Sequence, residues 1–146
     1  MNNKDKEVKR RDQLTTSEND KKSKRILLID DEQDIVYLLK IVLRNNGFEV
    51  DSYTDPILAL SNFKPGLYDL LLLDMRMPGI NGSDLHQKMK EIDYNVRTCF
   101  LTASELFYEE YRRLDAHPRL GKEHFIQKPF RTEELIRQIN EILCSC

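Results

Sequence analysis

Five polar residues stand out because each closes or follows a short apolar run. They are Asp30-Asp31 after Ile26 to Ile29, Asp74 after Leu70 to Leu73, Thr102 at the end of a run from Val96, and Lys128 just beyond Phe125-Ile126. Singly, each is ordinary: surface acids are common, and an acidic pair after a strand is more often a helix cap than a ligand. Together they bring acid, acid, hydroxyl and ammonium to four candidate strand ends. Three converging carboxylates would repel one another and raise a pKa unless a cation sat among them. Hard oxygen ligands with no His or Cys nearby favour Mg2+, which keeps waters and takes one or two carboxylates plus a phosphate oxygen. That set suits phosphoryl chemistry, in which an Asp accepts the group covalently while metal, ammonium and hydroxyl stabilise charge on its equatorial oxygens. Crowding of this kind also predicts that Mg2+ raises the melting temperature and that neutralising Asp30 stabilises the metal-free protein.

The elements that must position these residues alternate. Arg25 to Asp30 is a short, β-branched apolar run that reads as a strand buried on both faces. Gln33 to Asn45 carries Ile35, Leu38, Leu39, Val42 and Leu43 at helical spacing, with Gly47 as a stop. Phe48 to Tyr53 reads as a second strand, and Asp55-Pro56 caps a helix bearing Ile57, Leu60 and Phe63 before Lys64-Pro65-Gly66 ends it. The leucine run within Tyr68 to Asp74 is too short for a helix between a turn and Pro78-Gly79 and reads as a third strand. A helix from about Ser83 to Glu91, a strand from Val96 to Thr102, a polar helix near Leu106 to Leu114, a strand from about His124 to Gln127 and a helix from Thr132 to Leu143 follow. Five strand-helix units imply an α/β fold, a parallel sheet with helices on both faces and right-handed crossovers. In such a sheet, ligands bind beyond the carboxyl ends of the strands, where the unusual polar residues fall.

Composition narrows the function classes. The 146 residues fit one domain. A formal charge of −2 removes the strongest argument for non-specific nucleic-acid binding. No apolar run approaches the roughly 20 residues of a membrane span, and the charged start is no signal peptide. The charge is uneven: Met1 to Lys24 holds eight Lys/Arg against five Asp/Glu, while Arg25 to Cys146 holds fifteen against twenty. With only Met1, Val8 and Leu14 apolar, residues 1–24 are expected to be a disordered charged tail. Its basic clusters, Lys9-Arg10-Arg11 and Lys21-Lys22-Ser23-Lys24, suit a solvated leader or contact with an acidic partner or nucleic acid. Cys99, Cys144 and Cys146 are too few for a disulfide framework, which favours a reducing cytoplasm. Cys99 reads as a small core residue and the terminal pair as free thiols, since nothing else shares zinc-site spacing with them. His86, His117 and His124 share no spacing and are expected to be solvated or half-buried.

Asp30-Asp31, Asp74 with Met77-Pro78-Gly79 and Gly82 after it, Thr102-Ala103 and Lys128-Pro129-Phe130 together resemble the receiver domain of two-component response regulators. The resemblance covers about Lys24 to Leu143, so that 25–146 would be the receiver domain. It implies a flavodoxin-like (βα)5 doubly wound sheet of strand order 2-1-3-4-5. It also implies roles. Asp74 would be the phosphoacceptor, Asp31 a direct Mg2+ ligand, Asp30 a ligand acting mainly through water, and the Arg76 carbonyl a further ligand. Lys128 would pair with phosphoryl oxygens, and its bond to Pro129 would be cis. Thr102 would turn its hydroxyl inward and Phe125 would be the switching aromatic. The face formed by the Leu106 to Leu114 helix, the last strand and the final helix would then change shape. A ring without a hydroxyl would hold its inward form by packing alone. The implied partners are a histidine kinase or histidine phosphotransfer protein and a downstream protein target.

Three features depart from the family pattern or stay open. The interval from Thr102 to Lys128, 26 positions, is longer than the pattern and suits a surface insertion or a docking element. Arg76 lies where phosphoryl lifetime is tuned. Dimerisation is open. A degenerate receiver acting as a scaffold, and an aspartate-nucleophile phosphatase, are the alternatives to a phosphoacceptor switch that is not itself an enzyme. Asp74-Met75-Arg76 lacks the second acid such a phosphatase would use, and retention of all five positions argues against the scaffold. No nucleic-acid-binding, catalytic or membrane segment follows Leu143, so the expected output is through another protein, either from a stand-alone regulator or within a phosphorelay.

Overall fold

A computed structural model describes residues 23–103 and 121–144. Residues 1–22 of the expected tail, the Leu106 to Leu114 helix, His117 and Cys146 lie outside the described residues. Five strands form one parallel sheet in the order β2-β1-β3-β4-β5. They are β1 (Arg25–Ile29), β2 (Glu49–Tyr53), β3 (Leu70–Asp74), β4 (Arg97–Thr102) and β5 (Phe125–Gln127). The helices between and after them are α1 (Gln33–Asn45), α2 (Pro56–Ser61), α3 (Gly82–Ile92) and α4 (Thr132–Cys144). This is the flavodoxin-like α/β architecture.

Strand alternation divides the core in two. Ile26, Leu28, Leu70, Leu72, Cys99, Leu101 and Ile126 face α1 and α4, against Leu39, Leu43, Leu135 and Ile139. Leu27, Ile29, Leu71, Leu73 and Phe100 face the other way, against Ala59 of α2 and Leu85 and Met89 of α3. Both faces of β1 and β3 are therefore buried, which is why their sequences are continuous apolar runs with no polar alternation. The stripe on α1 differs from the expected one by a position: Val36, Leu39 and Leu43 are buried, whereas Leu38 is exposed beside Tyr37 and Ile41. Likewise Ile57 on α2 is exposed, and Pro56 and Ala59 take the inward side.

Local chemistry fixes the ends. The Asp55 carboxylate accepts hydrogen bonds from the backbone N–H groups of Ile57 and Leu58, at 3.0 and 3.3 Å, and so starts α2. The Asn81 side chain does the same for α3 by accepting from Asp84 N–H at 2.9 Å. Gly47, at φ 92°, occupies the left-handed conformation that ends α1. At the far end of the sheet Arg97 donates to the carbonyls of Ile142 and Leu143 at 3.2 and 2.6 Å, capping α4 from the start of β4.

Gly82 packs directly on the backbone that follows β3. A Cβ there would lie 2.5 Å from the Asp74 carbonyl oxygen and 2.9 Å from the Met75 Cα. Its N–H donates to the Met75 carbonyl at 2.9 Å, so the first turn of α3 rests on the peptide that carries Asp74. Gly82→Ala should therefore cost about 1–3 kcal/mol of unfolding free energy through overpacking, measured by denaturant titration. It should also weaken divalent-cation binding at Asp74; full retention of both would show that the loop yields freely.

Candidate functional site

The parallel arrangement delivers every strand's carboxyl end to one edge. Asp30 follows β1, Asp74 ends β3, Thr102 ends β4 and Lys128 follows β5. The sheet sets their spacing through backbone bonds: Met75 N–H donates to Leu101 O at 2.9 Å and Lys128 N–H donates to Thr102 O at 2.7 Å. Asp30, Asp74 and Thr102 are buried, and Asp31 is exposed at the rim. The Lys128–Pro129 peptide bond is cis.

The Lys128 ammonium lies among three carboxylates. Its Nζ is 2.9 Å from Asp30 Oδ2, 3.4 Å from Glu32 Oε1 and 3.5 Å from Asp74 Oδ1. Asp30, with no exposed surface, accepts a second hydrogen bond through Oδ1 from the Glu32 backbone N–H at 2.9 Å. Burial on its own would lower the Lys128 pKa, but the hydrogen bond to and charge of Asp30, with Asp74 and Glu32 behind them, hold it above the ordinary lysine value. Asp74 has the opposite problem. Burial first, and the charge of Asp30 second, push its carboxyl up to about 7, and the hydrogen bond shared with Asp31 adds to the rise. The Lys128 charge and a hydrogen bond from the Arg76 backbone offset only part of this.

Carboxylate oxygens of Asp30, Asp31 and Asp74 lie within 4.8 Å of one another. Oxygens on opposite sides of an octahedral Mg2+ are about 4.2 Å apart, so this set fits one hard cation, with a carboxylate reaching it through water. An elevated Asp74 is the electrostatic complement of that fit, since a divalent ion would stabilise the ionised form.

Other expected residues fall as follows. Phe125 is half-buried and stacks on Phe100, with ring centroids 5.1 Å apart and planes at 23°. Arg76 is exposed in the loop after β3. His86 departs from expectation: it is buried in α3, edge-on to Phe100 at 5.2 Å, with Nδ1 3.0 Å from Thr98 Oγ1. It sits between Leu85 and Met89 on the inward stripe of its helix, so its place follows from the helical period. His124 is half-buried and its pKa is lowered, mainly by burial. Cys99 is fully buried in β4 and Cys144 is exposed, neither of them in a disulfide. Sequence reasoning missed Glu32, whose only signal was a third acid directly after Asp30-Asp31.

The fold and this edge define a flavodoxin-like α/β domain with an acidic site at the carboxyl ends of its strands, and comparison with known proteins identifies its family. The response regulator receiver domain family matches residues 26–140. The chain belongs to that family. It is 33% identical over 115 residues to the transcriptional regulatory protein DltR of Streptococcus agalactiae, covering 79% of this chain and 50% of that protein. It is 31% identical over 118 residues to the response regulator SaeR of Staphylococcus aureus, covering 81% and 50%. The chain thus spans about half the length of these relatives. Among solved structures, the non-phosphorylated HemR receiver domain of Leptospira biflexa superposes with a TM-score of 0.72 at 27% identity, covering 85% of this chain and 97% of that one. The response regulator TrrA of Thermotoga maritima, solved in complex with Mg2+-BeF, gives 0.66 at 32% identity, covering 82% and 98%.

The pairing of Lys128 with Asp30 changes the electrostatic expectation stated above. Repulsion at the edge falls on Asp74, because Asp30 already has its counter-ion. Asp74→Asn should stabilise the metal-free protein, while Asp30→Asn should destabilise it by stripping Lys128 of its nearest partner. The pH dependence carries a sign. A carboxyl raised from 3.8 to about 7 in the folded state binds more protons there than in the unfolded chain, so stability falls as pH rises between those values. The advantage of Asp74→Asn over wild type should therefore grow across that window and level off above it, followed by thermal melting at stepped pH. Stabilisation by both substitutions would mean the repulsion is shared evenly.

Proposed function

We propose that this domain is a phosphoacceptor switch in which Asp74 takes a phosphoryl group from a histidine kinase or a histidine phosphotransfer protein. The observation that carries the reading is the convergence of Asp30, Asp31 and Asp74, within 4.8 Å, on the same edge as the Lys128 ammonium. Support also comes from the 32%-identical TrrA, whose structure was solved with Mg2+-BeF.

In the transfer, an ionised Asp74 oxygen attacks phosphorus, the bond from phosphorus to the imidazole nitrogen of the donor breaks, and the imidazole leaves, taking its proton from solvent. Mg2+, held by Asp31, Asp74 and the Arg76 carbonyl with Asp30 acting through water, would supply charge neutralisation for the incoming phosphoryl oxygens. Lys128 offers N–H donors to those oxygens, and the Thr102 hydroxyl supplies another once it turns toward them. Attack requires the Asp74 carboxylate, and a carboxyl at about 7 is only partly ionised at neutral pH without the cation. A cation held beside it would keep the Asp74 carboxyl in its ionised, nucleophilic form.

The readout is a population shift. A phosphoryl group adds nearly two negative charges and three acceptors, and drawing Thr102 inward alters the space beside Phe125. Phe125 has no hydroxyl, so packing, including its stack on Phe100, holds its ring inward, and the neighbouring face of β5 and α4 relays the change to a protein target. The setting is cytoplasmic; no helix among the described residues is long and apolar enough to cross a membrane.

Incubation with Mg2+ and a small phosphodonor such as acetyl phosphate should give one phosphoryl adduct by intact mass. The adduct should be absent from Asp74→Asn and should fall at least about tenfold in Lys128→Met, in line with the loss of a charged transition-state donor. Multiple turnover of an added phosphate ester would indicate an enzyme instead, and the absence of any adduct would leave a scaffold.

A further inference from the structure

Glu32 is the one member of the Lys128 cluster that the chemistry above does not use. The three acceptors around that ammonium differ in depth. Asp30 and Asp74 are buried, with side chains 0% and 8% exposed, whereas the Glu32 side chain is 61% exposed. Of the donors that Lys128 offers, the one directed at Glu32 is therefore the one directed at solvent. A phosphoryl group on a buried carboxylate extends outward from it, toward the side that this donor faces. An ammonium has only three N–H groups, and three carboxylates already surround it.

Glu32 is also held in place independently of its side chain. Its backbone N–H donates to Asp30 Oδ1 at 2.9 Å, and it occupies the N-cap of α1 without a side-chain capping bond. Its carboxylate is thus not committed to the helix and, among the described residues, pairs with Lys128. Exposed pairs of this kind are worth little, which suits a contact that must be released.

We propose that Glu32 is a positioning residue that parks the outward donor of Lys128 in the unphosphorylated protein and competes with the phosphoryl group for it. This rests on the phosphoacceptor reading of Asp74. Removing the competitor should favour the phosphorylated state, and the effect should depend on reach rather than on charge alone. Shortening the side chain by one methylene keeps the charge but withdraws the oxygen from Lys128.

The test is a 19F NMR titration of the Mg2+-loaded protein with beryllofluoride, comparing wild type, Glu32→Gln and Glu32→Asp, with thermal melts confirming that each variant is folded. The expected result is binding about threefold tighter in both variants, within the range of an exposed ion pair. Equal or weaker binding in Glu32→Gln overturns the proposal. Tighter binding in Glu32→Gln with wild-type affinity in Glu32→Asp also overturns it, since the effect would then be the general removal of a negative charge. Wild-type protein that binds no beryllofluoride would bring down the phosphoacceptor reading itself, and the Glu32 proposal with it.

Discussion

A fully buried carboxylate sets the terms for the rest of the edge. Asp30 has no exposed surface, and its two oxygens are satisfied instead by Lys128 Nζ at 2.9 Å and by the Glu32 backbone N–H. That arrangement has two consequences. It anchors the ammonium of β5's extension to the end of β1, two strands that are not neighbours in the sheet. It also takes the main positive charge away from Asp74, which lies between them and is left 3.5 Å from the same nitrogen. The phosphoacceptor candidate is therefore the under-compensated member of the group, and its need for a further cation is built in by how its neighbour is satisfied.

Much of this was legible in the sequence because parallel strands buried on both faces leave a plain trace. Ile26 to Ile29 and Leu70 to Leu73 admit few readings other than central strands, and the polar residue ending each run marks the edge where a ligand can sit. Asp30, Asp31, Asp74, Thr102 and Lys128 could all be nominated that way. The residue-level faces of the helices were harder to read. On α1 the apolar residues are numerous enough for two stripes one position apart, and sequence favoured Leu38 where packing selects Val36. His86 looked like a surface residue by type, but the period of α3 carries it inward to Thr98 and Phe100.

The least legible feature was the sharing out of charge. Three acids and one lysine at strand ends predict attraction and repulsion without saying which pair forms. That choice depends on differences of about half an ångström between the Asp30 and Asp74 distances, set by strand register and by the close seat of Gly82 against the Asp74 peptide. Glu32 was invisible for the same reason, being a partner only because a residue 96 positions away returns to it.

The same register explains how events at the edge reach beyond it. Lys128 and Thr102 are joined by a 2.7 Å backbone hydrogen bond, and Phe100, two residues before Thr102, pairs with Phe125, three residues before Lys128. The Phe100 ring contacts both Phe125 and His86, so the aromatic contact between β4 and β5 continues into α3. A group that pulls on Lys128 and Thr102 together acts on both strands at once and does not separate them. Phe125, half-buried and stacked on Phe100, lies beside this bonded pair of strand ends. Under the proposed switch, the size of any shift at its side chain would be bounded by how differently the edge binds its ligand in the two states.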